Sequence, residues 1–199
     1  MFIEVLFTNP IYFARVVVIL IISISLHELG HGYAAISQGD NTPQIRGHIT
    51  LNPVIHMGVH SLIFLVLVGI AWGQMPVNPR NFRSRWSDVI VSAAGPGTNL
   101  ILAIVGIAVI KISSILSLEN IISLTFFYLI AKFNFALCMF NLLPIPPLDG
   151  FHIASEFFPE LKPLGSSQAG MALFTILFIS GIGGMLFTSA DWLIKILVS

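Results

Sequence analysis

Long apolar runs separated by short polar stretches make up most of the chain. The first lies at about Ile11 to Ile36 and is closed by Gln38-Gly39-Asp40-Asn41-Thr42-Pro43. A helix that crosses a bilayer needs about 20 mainly apolar residues, so this run predicts one. Residues 44–53 alternate polar and apolar and predict a short extended segment. A second apolar stretch, about Val54 to Trp72, is interrupted by His56, Gly58, His60 and Gly69, and a polar loop with Arg80, Arg83 and Arg85 follows to Asp88. A third run, about Val89 to Ile110, encloses Gly95-Pro96-Gly97-Thr98-Asn99. The fourth, about Ile121 to Leu143, breaks at Pro144, Pro146 and Pro147, just before Leu148-Asp149-Gly150. A short amphipathic piece reaches Phe158, and the last full run covers about Ala169 to Phe187. Asp191 to Val198 is too short to span and is expected at an interface.

These runs predict an all-α polytopic membrane protein with about five transmembrane helices. They also predict a re-entrant or short extended segment near residues 44–72. Positive charge marks the cytoplasmic side, and the arginine loop and Arg46 both claim it. A spanning 54–72 would separate them. A re-entrant segment, tolerated at membrane depth where protein or a water-filled cavity surrounds it, keeps them together. His27, His31, Asn99 and Asp149 then fall toward the cytoplasmic side at comparable depth.

Composition agrees with the pattern. Of 199 residues, 56% are hydrophobic and 9% charged, against about 25% charged in soluble domains. The formal charge is zero, with no basic run and no interleaving of arginine with aromatics, which excludes a nucleic-acid groove. The single Cys138 excludes an intrachain disulfide. Met1 to Pro10 lacks the basic start of a cleavable signal. One transmembrane domain over residues 1–199 is expected, its core at about 11–158. Glu4 and Glu119 are expected to be solvated at the ends of spans, whereas Lys132, inside an apolar run, has no evident role in the sequence.

The chemistry concentrates in His27-Glu28-Leu29-Gly30-His31. Histidines four apart share a helix face, so both imidazoles can bind one metal ion. The glutamate between them can take a proton from water on that metal, which is the logic of the H-E-x-x-H zinc motif. Three ionisable groups inside an apolar run are costly to bury and functional by default. Catalytic zinc usually takes three protein ligands and keeps an open position. Asp149, after a proline-broken helix end, is the first candidate for the third. An Asp-Gly turn is the plain alternative reading of it, and His152, His48, His56 and His60 compete as ligands.

Two motifs together carry a resemblance. His27-Glu28-Leu29-Gly30-His31 with Asn141-Leu142-Leu143-Pro144-Ile145-Pro146-Pro147-Leu148-Asp149-Gly150 resembles the site-2 protease family of intramembrane zinc metalloproteases. Gly95-Pro96-Gly97-Thr98-Asn99 is similar to the family's G-P-x-x-N segment, and Pro76-Val77-Asn78-Pro79-Arg80-Asn81-Phe82 resembles the compact bacterial members. The chain departs from the pattern after His56, where relatives often carry Asp-Pro and Gly58-Val59 stands here. The resemblance covers about residues 15 to 160, and the remainder is too short for the PDZ or CBS domains of larger relatives. It implies His27, His31 and Asp149 as ligands to one Zn2+ per chain, Glu28 as catalytic base, and Asn141 and Asn99 as substrate-binding or carbonyl-polarising groups. It further implies an intramembrane endopeptidase in a bacterial inner membrane. Its active site would face the cytoplasm, and its partners would be transmembrane protein substrates and the lipid bilayer. Residues 44–51 would offer an edge to an unwound substrate strand. A zinc transporter would use the same histidines without needing Glu28, and a catalytically silent binding relative would not need it either.

Overall fold

The computed structural model describes residues 1–117 and 123–198; Glu119 and the expected start of the fourth run at Ile121 lie outside them. A short helix, α1 (Glu4–Thr8), leads into α2 (Pro10–Ser37). Asn9 starts α2 by accepting from Tyr12 N at 3.0 Å, and Pro10 occupies its first turn, where no amide partner is needed. At 28 residues, α2 is about 42 Å long, more than enough to cross a hydrocarbon core of about 30 Å. Two more helices, α5 (Ser87–Ile115) and α6 (Leu124–Asn141), also have the length and apolarity of spans.

These three form the body of the molecule. His31 lies against Val91 and His27 against Asn99, so α2 and α5 run antiparallel. Asn99 meets Asn134, and Gly106 lies against Phe127 and Ala131, so α5 and α6 are antiparallel too. Close approach rests on small residues. Ala103, Ala131 and Ala190 are fully buried in one cluster, where packing between helices replaces the water-driven hydrophobic effect.

The region before α5 departs from the sequence expectation in one place and agrees with it in another. Residues 44–53 do not form an extended segment. Thr42–Ile45 makes a helical turn, α3, and the chain to Asn52 is irregular. The reason is local: Asp40 accepts from Thr42 N at 3.0 Å and from its hydroxyl, and Pro43 pre-sets the helical φ. After it comes α4 (Pro53–Val68), kinked at Gly58 and ended by Gly69 at φ 85°, a conformation that favours glycine. The chain then doubles back. Trp72 exchanges two hydrogen bonds with Ser61, Gln74 N donates to the His56 carbonyl at 2.8 Å, and Asn78 N reaches Asp40 at 2.7 Å. Residues 53–78 therefore leave and return to the same end of the bundle, at the C-terminus of α2. At 16 residues, α4 is about 24 Å long and too short to cross.

Asp40 pins this end. It is fully buried, and burial pushes its carboxyl up; bonds from Asn78, Thr42 and Asn81 outweigh that and hold it below the usual carboxylate range. Arg83 N donates to Gln38 O at 3.0 Å, so the arginine loop sits at the same end as Arg46.

Beyond α6 come α7 (Asp149–Phe157), a 3-10 segment (Pro159–Ser166), α8 (Gln168–Ile179) and α9 (Ile182–Val198). Gln168–Leu177 and Ile182–Val198 meet at 57°. The described residues thus hold three helices able to span, and a fourth if the bent pair is one crossing, where about five were expected. The all-α polytopic class stands. The last run breaks at Gly181, and residues 191–198 belong to a helix packed on α6 rather than to an isolated interfacial piece. Lys132 gains an account: it donates to Asp191 Oδ2 at 2.8 Å, and Tyr128 donates to Oδ1 at 2.6 Å.

Candidate metal centre

His27 and His31 stand in the second half of α2, about 15 Å and 9 Å along the axis from its C-terminal residue Ser37. Both are buried. The break after Asn141 turns the chain back so that Asp149, the first residue of α7, arrives opposite them. His27 Nε2 and His31 Nε2 are 3.0 Å apart, and the Asp149 carboxylate oxygens lie 3.2 Å from the first and 3.4 Å from the second. Ligands at about 2.0–2.1 Å from a tetrahedral ion stand about 3.3–3.4 Å from one another. The three spacings match such a face.

Hydrogen bonding on the far side of the rings supports the same reading. His31 Nδ1 is 2.7 Å from the Val91 carbonyl, which can only accept, so Nδ1 carries a proton and Nε2 is the lone pair of the neutral ring. His27 Nδ1 is 2.6 Å from Asn99 Oδ1. Asp149 Oδ2 lies near His27 Nε2 yet has no hydrogen-bond partner. With a proton held on each Nδ1, the neutral rings turn both Nε2 lone pairs toward the carboxylate. Two lone pairs and a carboxylate converge on a point that a cation would satisfy. Among the described residues, no other group of three such side chains lies close enough to hold a metal.

The donors open on a cavity of about 860 Å³, whose wall includes Glu28, Gly73, Asn141, Leu148 and His152. Glu28 is buried, and a Cβ on Gly73 would fall on its carboxylate. Gly95 is the corresponding gap on α5: a Cβ there would meet His27 Nε2 and His31 Nε2. Sequence reasoning assigned no role to Gly73 or Gly95, although Gly95 opens the G-P-x-x-N segment. Asn141 is half-buried and donates to Leu137 O at 3.0 Å. Asn99 is fully buried, with Oδ1 on His27 and Nδ2 on Asn134. None of the competing histidines joins the triad: His56 binds the Thr50 carbonyl at 2.6 Å, His48 stacks edge-on with His56, His60 is exposed, and His152 is exposed on the cavity wall.

Comparison with known proteins bears on the same residues. The model of peptidase family M50 matches residues 15–118 and 108–182, which together contain both motifs. The chain belongs to peptidase family M50. This M50 peptidase is 36% identical to a Bacillus subtilis protein named "Putative zinc metalloprotease YwhC", over 84% of this chain and 81% of that one. It is 30% identical to the Mycobacterium tuberculosis "Putative zinc metalloprotease Rip2", over 93% and 76% of the two chains. It is 26% identical to the "Zinc metalloprotease MJ0392" of Methanocaldococcus jannaschii, covering 89% of this chain and 45% of that protein. No solved structure matches it. The family resemblance found in the motifs is therefore confirmed, and the chain is a multi-pass membrane metalloprotease.

Proposed function

We propose that this M50 peptidase is an intramembrane zinc endopeptidase that cuts membrane-anchored substrates, with its site toward the cytoplasm. The observation that carries the reading is the convergence of His27, His31 and Asp149 beside Glu28 in a cavity among spanning helices. Two imidazoles and one carboxylate are a donor set of catalytic zinc, with the fourth position left for water or substrate. Zinc there would lower the pKa of a bound water toward about 7 and polarise the scissile carbonyl.

The chain's own groups do the rest. Glu28, on the same turn as both histidine ligands, accepts the proton of the attacking water and passes it to the leaving amine. Asn141 spends one N–H on Leu137 O and keeps the other for the developing oxyanion, a contribution of about 3–4 kcal/mol. A substrate helix has no free peptide groups, so its scissile region must unwind. The peptide groups of Ala71, Gly73 and Met75 carry no hydrogen bond among the described residues. These three residues line the cavity, Gly73 against Glu28, which supports this segment rather than 44–51 as the edge for the opened strand. Arg46, Arg80, Arg83 and Arg85 crowd the end of the bundle nearer the triad, which favours that end as cytoplasmic.

Glu28→Gln tests the reading in liposomes with a transmembrane substrate. Zinc should stay at one per chain while cleavage falls by roughly 10²–10⁴-fold. Cleavage at the wild-type rate would overturn it.

A further inference from the structure

We infer that Asn134, in the middle of α6, is a positioning residue for the metal centre: acting through Asn99, it dictates which nitrogen of His27 carries the proton. The inference rests on the zinc reading above.

A backbone carbonyl anchors the relay. Ile130 O can only accept, and it lies 2.9 Å from Asn134 Nδ2. The second N–H of that amide donates to Ser23 Oγ on α2, also at 2.9 Å. Both donors of Asn134 are thus turned away, and its Oδ1 faces Asn99. Asn99 must answer with Nδ2, at 2.9 Å, which turns its own Oδ1 onto His27 Nδ1 at 2.6 Å. An amide oxygen only accepts, so the His27 proton is held on Nδ1 and its Nε2 lone pair is free to bind a metal. His31 reaches the same tautomer in one step, through Val91 O. His27 has no such carbonyl and depends on the two amides.

Burial makes the relay strict. Asn99, Asn134 and Ser23 are 0%, 1% and 2% exposed, so no bulk water can replace a lost partner. If Asn99 turned over, its NH2 would face Nδ1, the proton would move to Nε2, and that proton would occupy the metal's direction.

The test measures zinc affinity of the detergent-purified full chain by competition with a chromophoric chelator. Nitrogen NMR of the histidine-labelled, zinc-free protein reports the tautomer. Asn134→Leu should bind zinc roughly 10–100-fold more weakly and should show one histidine shifted to the Nε2-protonated form. Asn134→Asp, neutral in so buried a place, would donate its carboxylic proton to Ile130 O and still accept from Asn99 Nδ2, and should recover most of that affinity. Lys132→Met, on the same helix but outside the relay, should bind as wild type. If the leucine variant does not fold, Asn134→Ala takes its place with the same expectation. Wild-type affinity in the leucine or alanine variant, or equal losses in the leucine and aspartate variants, would overturn the inference. A wild-type protein that binds no zinc would instead defeat the zinc reading, while the NMR arm still decides the relay.

Discussion

Two polar clusters lie among the apolar helices of this peptidase, and they are completed in opposite ways. Between α6 and α9, Lys132, Tyr128 and Asp191 satisfy one another: each carboxylate oxygen has a donor, at 2.8 Å and 2.6 Å, and the ion pair is neutral. Between α2 and α7, the Nε2 atoms of His27 and His31 and the Asp149 carboxylate converge within 3.4 Å, each ring is held from behind by an acceptor on Nδ1, and Asp149 Oδ2 has no hydrogen-bond partner. Polar groups in an apolar setting must be paired or bind something. The first cluster is finished by the chain itself and fastens two helices. The second sets three donors at the spacing that holds a metal ion. Residue type alone does not separate them, since each contains an aspartate and a basic side chain within apolar runs. Their partners do: both Asp191 oxygens have donors, and Asp149 Oδ2 has none.

The two clusters differ most at their aspartates. Asp149→Ala removes one of three donors, and zinc affinity should fall by more than the roughly 100-fold that an outer hydrogen-bond partner is worth, taking proteolysis with it. Asp191→Ala should leave zinc at one per chain. Metal analysis of the two purified variants decides the matter; equal zinc loss in both would erase the distinction between the clusters.

Gly95 bears on the histidine cluster alone. Its hydrogen faces both metal-side nitrogens, where a methyl would intrude. Gly95→Ala should therefore weaken zinc binding by roughly 10–100-fold, as loss of an outer partner does, with the helical circular-dichroism signal unchanged. Gly97→Ala is the control, because nothing lies within 4 Å of a Cβ there; it should bind zinc as wild type. A wild-type Gly95→Ala variant would mean that α5 does not close the metal site.

Much of this was legible in the sequence because its signals are local. The spacing of His27, Glu28 and His31 fixes a shared helix face, and run length predicts α2, α5 and α6. The return of residues 53–78 to their starting end followed from charge, since Arg46 and the arginine loop had to share a side. What escaped depends on contacts across the fold. Alternation over 44–53 suggested an extended segment, but Asp40 and Pro43 turn its start into helix. Asn99 reads as one more polar residue in a motif until its partner 35 positions away fixes which way its amide points. Lys132 had no account because its partner, Asp191, is 59 residues distant on a helix expected to lie apart. Gly73 and Gly95 matter for the space they leave, which no periodicity encodes.

The smallest effect tests whether the closed cluster is only a fastening. The side chains of Lys132 and Asp191 are 25% and 39% exposed, so solvent and lipid headgroups soften the loss when either is removed. Lys132→Met or Asp191→Leu alone should lower stability by about 1 kcal/mol, as for polar contacts between membrane helices. The double substitution should recover much of that loss, because it leaves no unpaired charge and adds apolar surface between α6 and α9. Thermal unfolding in detergent reads this as a drop in Tm for each single variant and a smaller one for the double. Zinc should stay at one per chain in all three. If the double variant kept its Tm but lost zinc, α6 would be passing strain from Lys132 to Asn134, and the two clusters would have to be treated as one coupled unit.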